Sequence, residues 1–211
     1  MVLDIICPRL TNKKTMATID KYIPILFRWE AGIIMKEGET IEQAFARAKK
    51  KGWADDPLDK GGATMIGVTI GTYRTYCKYK GKRVPTKEDL KNIPYKEWRD
   101  IVHTMYWSKW KADLIENQHV ANMIVDWVWA SGQGIGIKRV QKLLGVTADG
   151  IVGPKTLAAV NSQDPKELFT KVYNARAAHF NAIVKNNPSQ KKWLKGWMNR
   201  INYIYNLYEE K

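Results

Sequence analysis

The chain has 211 residues, 45% hydrophobic and 27% charged, and 35 Lys+Arg against 21 Asp+Glu give it a net charge of +14. This is the composition of a globular chain with enough residues for one compact domain, or one domain with a small appendage, and it excludes a disordered or membranous chain. The longest apolar runs fall far short of the roughly 18 residues of a spanning helix, and Cys7 and Cys77 make neither a disulfide framework nor a zinc spacing.

In chain order, residues 1–17 carry Asp4 where a signal peptide needs positive charge, so they read as a disordered leader. From residue 18 to 34, Ile19, Tyr22, Ile23, Leu26 and Phe27 recur at helical spacing, and Glu30 continues their stripe. Thr40-Ile41-Glu42-Gln43 reads as a capping box opening a helix to about residue 51, where Lys49, Lys50 and Lys51 suit its negative end. Residues 53–64 are turn chemistry, with Gly61-Gly62 at their centre, and residues 65–69 form a short β element. Helices are expected near 70–79, 94–106, 118–131, 136–144, 154–161, 165–185 and 191–208, with Pro94, Pro154 and Pro165 in first turns. The fold class is therefore mainly α with a small hairpin.

Two carboxylates stand out. A Glu on the apolar face of a helix is desolvated, which favours its protonated form and suits a general acid; the bland reading of Glu30 is a helix-end or ion-paired Glu. Asp59 lies in a glycine-rich loop where solvent keeps it ionised, though Asp55, Asp56 and Asp59 also serve as turn formers. One protonated and one ionised carboxyl is the pair that glycoside hydrolysis uses. His103, His119 and His179 are scattered, which argues against a metal site.

The runs Trp29-Glu30-Ala31-Gly32 and Asp56-Pro57-Leu58-Asp59-Lys60-Gly61-Gly62-Ala63-Thr64-Met65-Ile66-Gly67-Val68-Thr69, with Tyr106-Trp107, resemble the glycoside hydrolase 108 family of lysozyme-like muramidases. Ala31 stands where that family has a glycine and Ile33 where it has an aromatic residue. The longer separation of Glu30 and Asp59 is filled by the capped helix at 40–51, read as an inserted surface helix. Asp149-Gly150-Ile151-Val152-Gly153-Pro154-Lys155-Thr156 is similar to the peptidoglycan-binding region that accompanies these enzymes. The resemblance divides the chain into a hydrolase region, 18–110, and a helical region, 111–208, either a separate module or continuous with the first as one body.

The resemblance implies a lysozyme-like fold with the hairpin beside a cleft, and Glu30, Asp59 and Thr64 as the catalytic trio. Asp126 to Gln133 is similar to a family segment in which Ser131 replaces an Asn. Asp126, Trp129, Ser131, Gln133 and Tyr106 are then expected along the sugar groove, with core packing as the alternative for Trp127 and Trp129. The implied reaction cleaves the β-1,4 bond between N-acetylmuramic acid and N-acetylglucosamine with no metal or cofactor. Carboxyl groups about 6.5–9.5 Å apart would give inversion, and about 5–5.5 Å retention.

The implied partners are peptidoglycan glycan strands and anionic wall polymers, which the positive charge would attract. No specific nucleic acid and no transmembrane segment are expected. A monomer is expected, synthesised in the bacterial cytoplasm and reaching the wall or periplasm through a holin-type export partner in phage- or mobile-element-linked lysis. The rivals are a lytic transglycosylase, a non-catalytic wall-binding protein and a nucleic-acid binder.

Overall fold

The computed structural model describes residues 15–56 and 61–209. Asp59 and Cys7 lie outside the described residues, as does all of the expected leader except residues 15–17. Ala17 is buried and donates its N–H to the Ile115 carbonyl at 2.8 Å.

A 3-10 turn, Ile19–Lys21, leads into α1, Ile23–Ala31, so the expected first helix is two elements with Tyr22 between them. Helix α1 stops at Gly32, whose left-handed φ of 63° closes the end by donating to Arg28 O. The capped helix α2, Ile41–Lys49, has both reciprocal bonds of the Thr40/Gln43 box. It packs on α1 and turns Ala44, Phe45 and Ala48 inward.

The β element is larger than expected. Strands β1, Trp53–Ala54, β2, Thr64–Met65, and β3, Val68–Thr69, form an antiparallel sheet in the order β1-β2-β3. The pair Met65↔Val68 is closed by Ile66 and Gly67, both with positive φ, as a tight two-residue hairpin requires. A β-branched residue at positive φ is strained. Ile66 is held there by complete burial and by donating its N–H to Gly52 O at 2.8 Å.

Helices α3, Ile70–Tyr79, α4, Lys87–Lys91, and α5, Tyr95–Met105, complete the first half. Helix α4 has only five residues, too few to show periodicity, and rests on its Thr86/Asp89 capping box. Pro94 is the cap preceding α5 rather than a first-turn residue. Two 3-10 turns, Trp107–Trp110 and Ala112–Leu114, follow.

Helix α6, Gln118–Leu143, joins the two helices expected at 118–131 and 136–144, with a break at Gly132 (φ 78°, ψ 162°). The chain folds back there so closely that a Cβ on Gly136 would lie 2.6 Å from Val128 N. Helices α7, Pro154–Ser162, α8, Pro165–Asn186, and α9, Lys191–Glu209, follow, and α8 and α9 pack on α6. The fold is mainly α and lysozyme-like, with one buried cluster drawing residues from Ala17 to Ile204. Among the described residues no helix is long and apolar enough to cross a membrane.

Candidate active site

Glu30 sits on the last turn of α1, one residue inside the Gly32 stop, with its side chain 20% exposed. Its Oε1 accepts from Trp129 Nε1 of α6 at 2.8 Å and from Arg200 Nη1 of α9 at 2.6 Å. The expected greasy pocket is thus corrected. The stripe carrying Glu30 is apolar within α1, but the surface it meets presents a guanidinium and an indole N–H.

The hairpin tip closes the other side. A Cβ on Gly67 would stand 2.4 Å from Trp129 Cζ2 and 2.9 Å from Glu30 Cδ, so only glycine fits between them. Tyr106 lies against Trp129, ring centroids 4.5 Å apart and tilted by 49°, and its hydroxyl is 3.4 Å from Thr72 Oγ1. Burial, with a smaller contribution from the Glu30 charge, keeps the Tyr106 phenol above its ordinary pKa, so it stays a neutral donor. Three distant segments therefore meet at the α1 carboxylate: the hairpin tip, Trp129 of α6 and Arg200 of α9, with Tyr106 packed on Trp129.

Beneath this point lies a buried charge network. Asp126 is fully buried and accepts from Tyr22 Oη at 3.1 Å, Arg176 Nη2 at 2.9 Å and Arg200 Nη2 at 2.7 Å. Burial alone would raise the Asp126 pKa, but the Arg200 and Arg176 guanidiniums outweigh it and hold the carboxyl down to about 2. Arg200, 14% exposed, bridges Asp126 to Glu30, and these two carboxylates raise its pKa against the opposing effect of burial. Asp126 is thus paired with two guanidiniums, and Arg200 extends that network to Glu30.

The expected site residues divide accordingly. Glu30, Trp129 and Tyr106 are brought together. Asp126 does not line a groove: it has no exposed surface and anchors the arginine that reaches Glu30. Ser131 is half-buried at the Gly132 break and Gln133 is exposed just beyond it. The Thr64 hydroxyl donates to Gly62 O at 3.3 Å, three residues along the hairpin from Gly67. Asp59 falls on the connection between β1 and β2, outside the described residues. Trp107 belongs to the core, its indole N–H donating to Asp113 Oδ1 at 2.8 Å, while His103 Nε2 lies 3.1 Å from Asp113 Oδ2.

Arg200 and Gly67 were the missed contributors. The signal for Arg200 was the one used for Glu30, a charge on an apolar helical stripe, here among Trp197, Ile201, Ile204 and Tyr208.

Comparison with known proteins places the chain in a family. The Glycosyl hydrolase 108 family model matches residues 31–132, and the Predicted Peptidoglycan domain matches residues 135–202. The solved structure of Brucella abortus SagA is 30% identical with a TM-score of 0.60, over 76% of this chain and 90% of that one. The chain belongs to the glycosyl hydrolase 108 family. A comparison with the curated proteins returns no match.

As a member of that family carrying a peptidoglycan domain, the chain is a glycoside hydrolase acting on peptidoglycan, and its place of action is the cell wall. Glu30 precedes the first matched hydrolase residue by one position, whereas Arg200 falls inside the peptidoglycan-domain match. The Glu30–Arg200 ion pair therefore joins the end of α1, just ahead of the hydrolase match, to the peptidoglycan-domain match.

Proposed function

We propose that the chain is an N-acetylmuramidase, hydrolysing the β-1,4 bond between N-acetylmuramic acid and N-acetylglucosamine with Glu30 as general acid. The observation that carries this reading is the convergence of the hairpin tip, Trp129 and Arg200 on that one carboxylate, with Tyr106 packed behind Trp129. Oε1 is held by two donors, so Oε2 is the oxygen that would carry the proton to the departing glycosidic oxygen.

Arg200 fixes the rotamer of Glu30, and positive charge beside it would stabilise the carboxylate left after proton transfer. Asp59 would oppose the charge developing at the anomeric carbon or activate the attacking water, with Thr64 holding that water. Trp129, Tyr106, Ser131 and Gln133 would contact the sugar rings, the aromatics by stacking and the polar pair by hydrogen bonds. The positive charge would concentrate the enzyme on a carboxylate-bearing wall, an attraction that salt screens. The biological setting in this proposal is phage- or mobile-element-linked lysis or wall remodelling, with a holin-type partner for export.

The test is clearing of purified peptidoglycan by wild type and Glu30→Gln, with mass spectrometry of the products. Gln keeps the size of Glu and still accepts from Arg200 but delivers no proton, so the rate should fall at least about 10²-fold with the fold intact. Reducing-end muramic acid is the expected product. Undiminished clearing by folded Glu30→Gln would refute the acid, and an anhydro sugar would replace hydrolysis with the transglycosylase route.

A further inference from the structure

Helices α8 and α9 are joined at a tip made of the end of α8, a 3-10 turn Pro188–Gln190 and the first turns of α9. From residue 168 to residue 208 the sequence contains no Asp or Glu. The arginines of this stretch are taken up inside the fold by Asp126 and Glu30. Lys171 pairs with Glu167; Lys185, Lys191, Lys192 and Lys195 remain, all exposed at the tip, and none forms an ion pair among the described residues.

An aromatic residue lies in their midst. Trp193 is 54% exposed, and Lys192 Nζ stands 5.1 Å from the centroid of its ring. Trp193 is one turn before Trp197 on the same face of α9, and Trp197 packs on Phe180 with ring centroids 5.4 Å apart. The apolar stripe of α9 thus runs past the edge of the body and ends on an uncovered indole. Leu194 and Met198 beside it are only half-buried.

We propose that this tip docks on the surface of an anionic phospholipid bilayer. Ammonium groups reach lipid phosphates while an indole settles at the headgroup level, and a tip with both and no carboxylate matches that interface. A purely polar anionic polymer would satisfy the lysines but give Trp193, Leu194 and Met198 no apolar phase to enter. Trp193 lies seven residues from Arg200, about 10 Å along the helix axis, so docking would place the Glu30 site close above the bilayer. The surface uses none of the residues assigned to catalysis or sugar contact, so it stands apart from the muramidase reading.

The experiment is co-sedimentation of the full chain with vesicles of phosphatidylcholine alone and of an equimolar mixture with phosphatidylglycerol. Binding is expected only to the mixed vesicles. The combined variant Lys191→Gln, Lys192→Gln, Lys195→Gln should weaken it at least about tenfold, from the usual contribution of each lysine near an anionic surface. Trp193→Ala alone should weaken it several-fold at constant charge. Both variants change exposed side chains, and their circular dichroism and clearing of purified peptidoglycan should equal wild type. Equal binding by the lysine variant, or no effect of Trp193→Ala, would overturn the proposal. So would variants that lose affinity for purified sacculi alone, since the tip would then serve a wall polymer.

Discussion

Asp126 links the stability of this protein to the posture of its candidate acid, and Asp126→Asn tests that link quantitatively. The substitution keeps the volume but leaves Arg176, fully buried, and Arg200, 14% exposed, without their shared counter-charge. Breaking a buried pair in this way costs about 3–5 kcal/mol at neutral pH. The cost should depend on pH with a definite sign. The Asp126 carboxyl is held at about 2 in the folded protein against 3.8 for the free group. A depressed folded pKa gives stability that is complete above 3.8 and lost as pH falls towards 2. The difference of nearly two pK units corresponds to about 2 kcal/mol. Urea unfolding of wild type and variant at several pH values reads this directly. The deficit of Asp126→Asn should be largest at pH 7, smaller by about 1 kcal/mol at pH 3 and by about 2 kcal/mol at pH 2. A deficit constant from pH 7 to pH 3 would mean that the ionised form of Asp126 gains nothing from the fold, and the charge network would be refuted.

Other perturbations bear on the packing around the site. Gly67→Ala places a methyl 2.4 Å from Trp129 Cζ2 at a residue whose φ is +72°; unfolding should show a loss of about 2–4 kcal/mol, and clearing activity should fall further than stability explains. Gly136→Ala drives a methyl to 2.6 Å from Val128 N with no contact to Glu30; it should lower the melting temperature while folded protein keeps its clearing rate. Asp59→Asn should slow a water-dependent hydrolase by at least about tenfold in initial-rate clearing assays and leave a transglycosylase nearly unchanged.

Local chemistry made much of this architecture legible. The Thr40/Gln43 box, the first-turn prolines of α7 and α8 and the apolar spacing of each long helix act within a few residues of the chain, so the elements could be placed from spacing alone. Helix α4 and strand β1 escaped because five and two residues hold no period to read. The Gly132 break lay in the gap left between two expected helices, but the sequence did not say that they fold back on each other.

The sequence by itself determined the long helices and the choice of Glu30 as the carboxylate to watch, because propensity and capping are properties of neighbouring residues. What touches Glu30 was decided by the tertiary structure: Trp129 is 99 positions away and Arg200 is 170. The same holds for Asp126, which motif similarity set in the groove and packing buried between two arginines. The physical reason is range. A side chain's exposure and counter-charge depend on which distant surface the fold brings against it, and no local pattern of residues encodes that meeting.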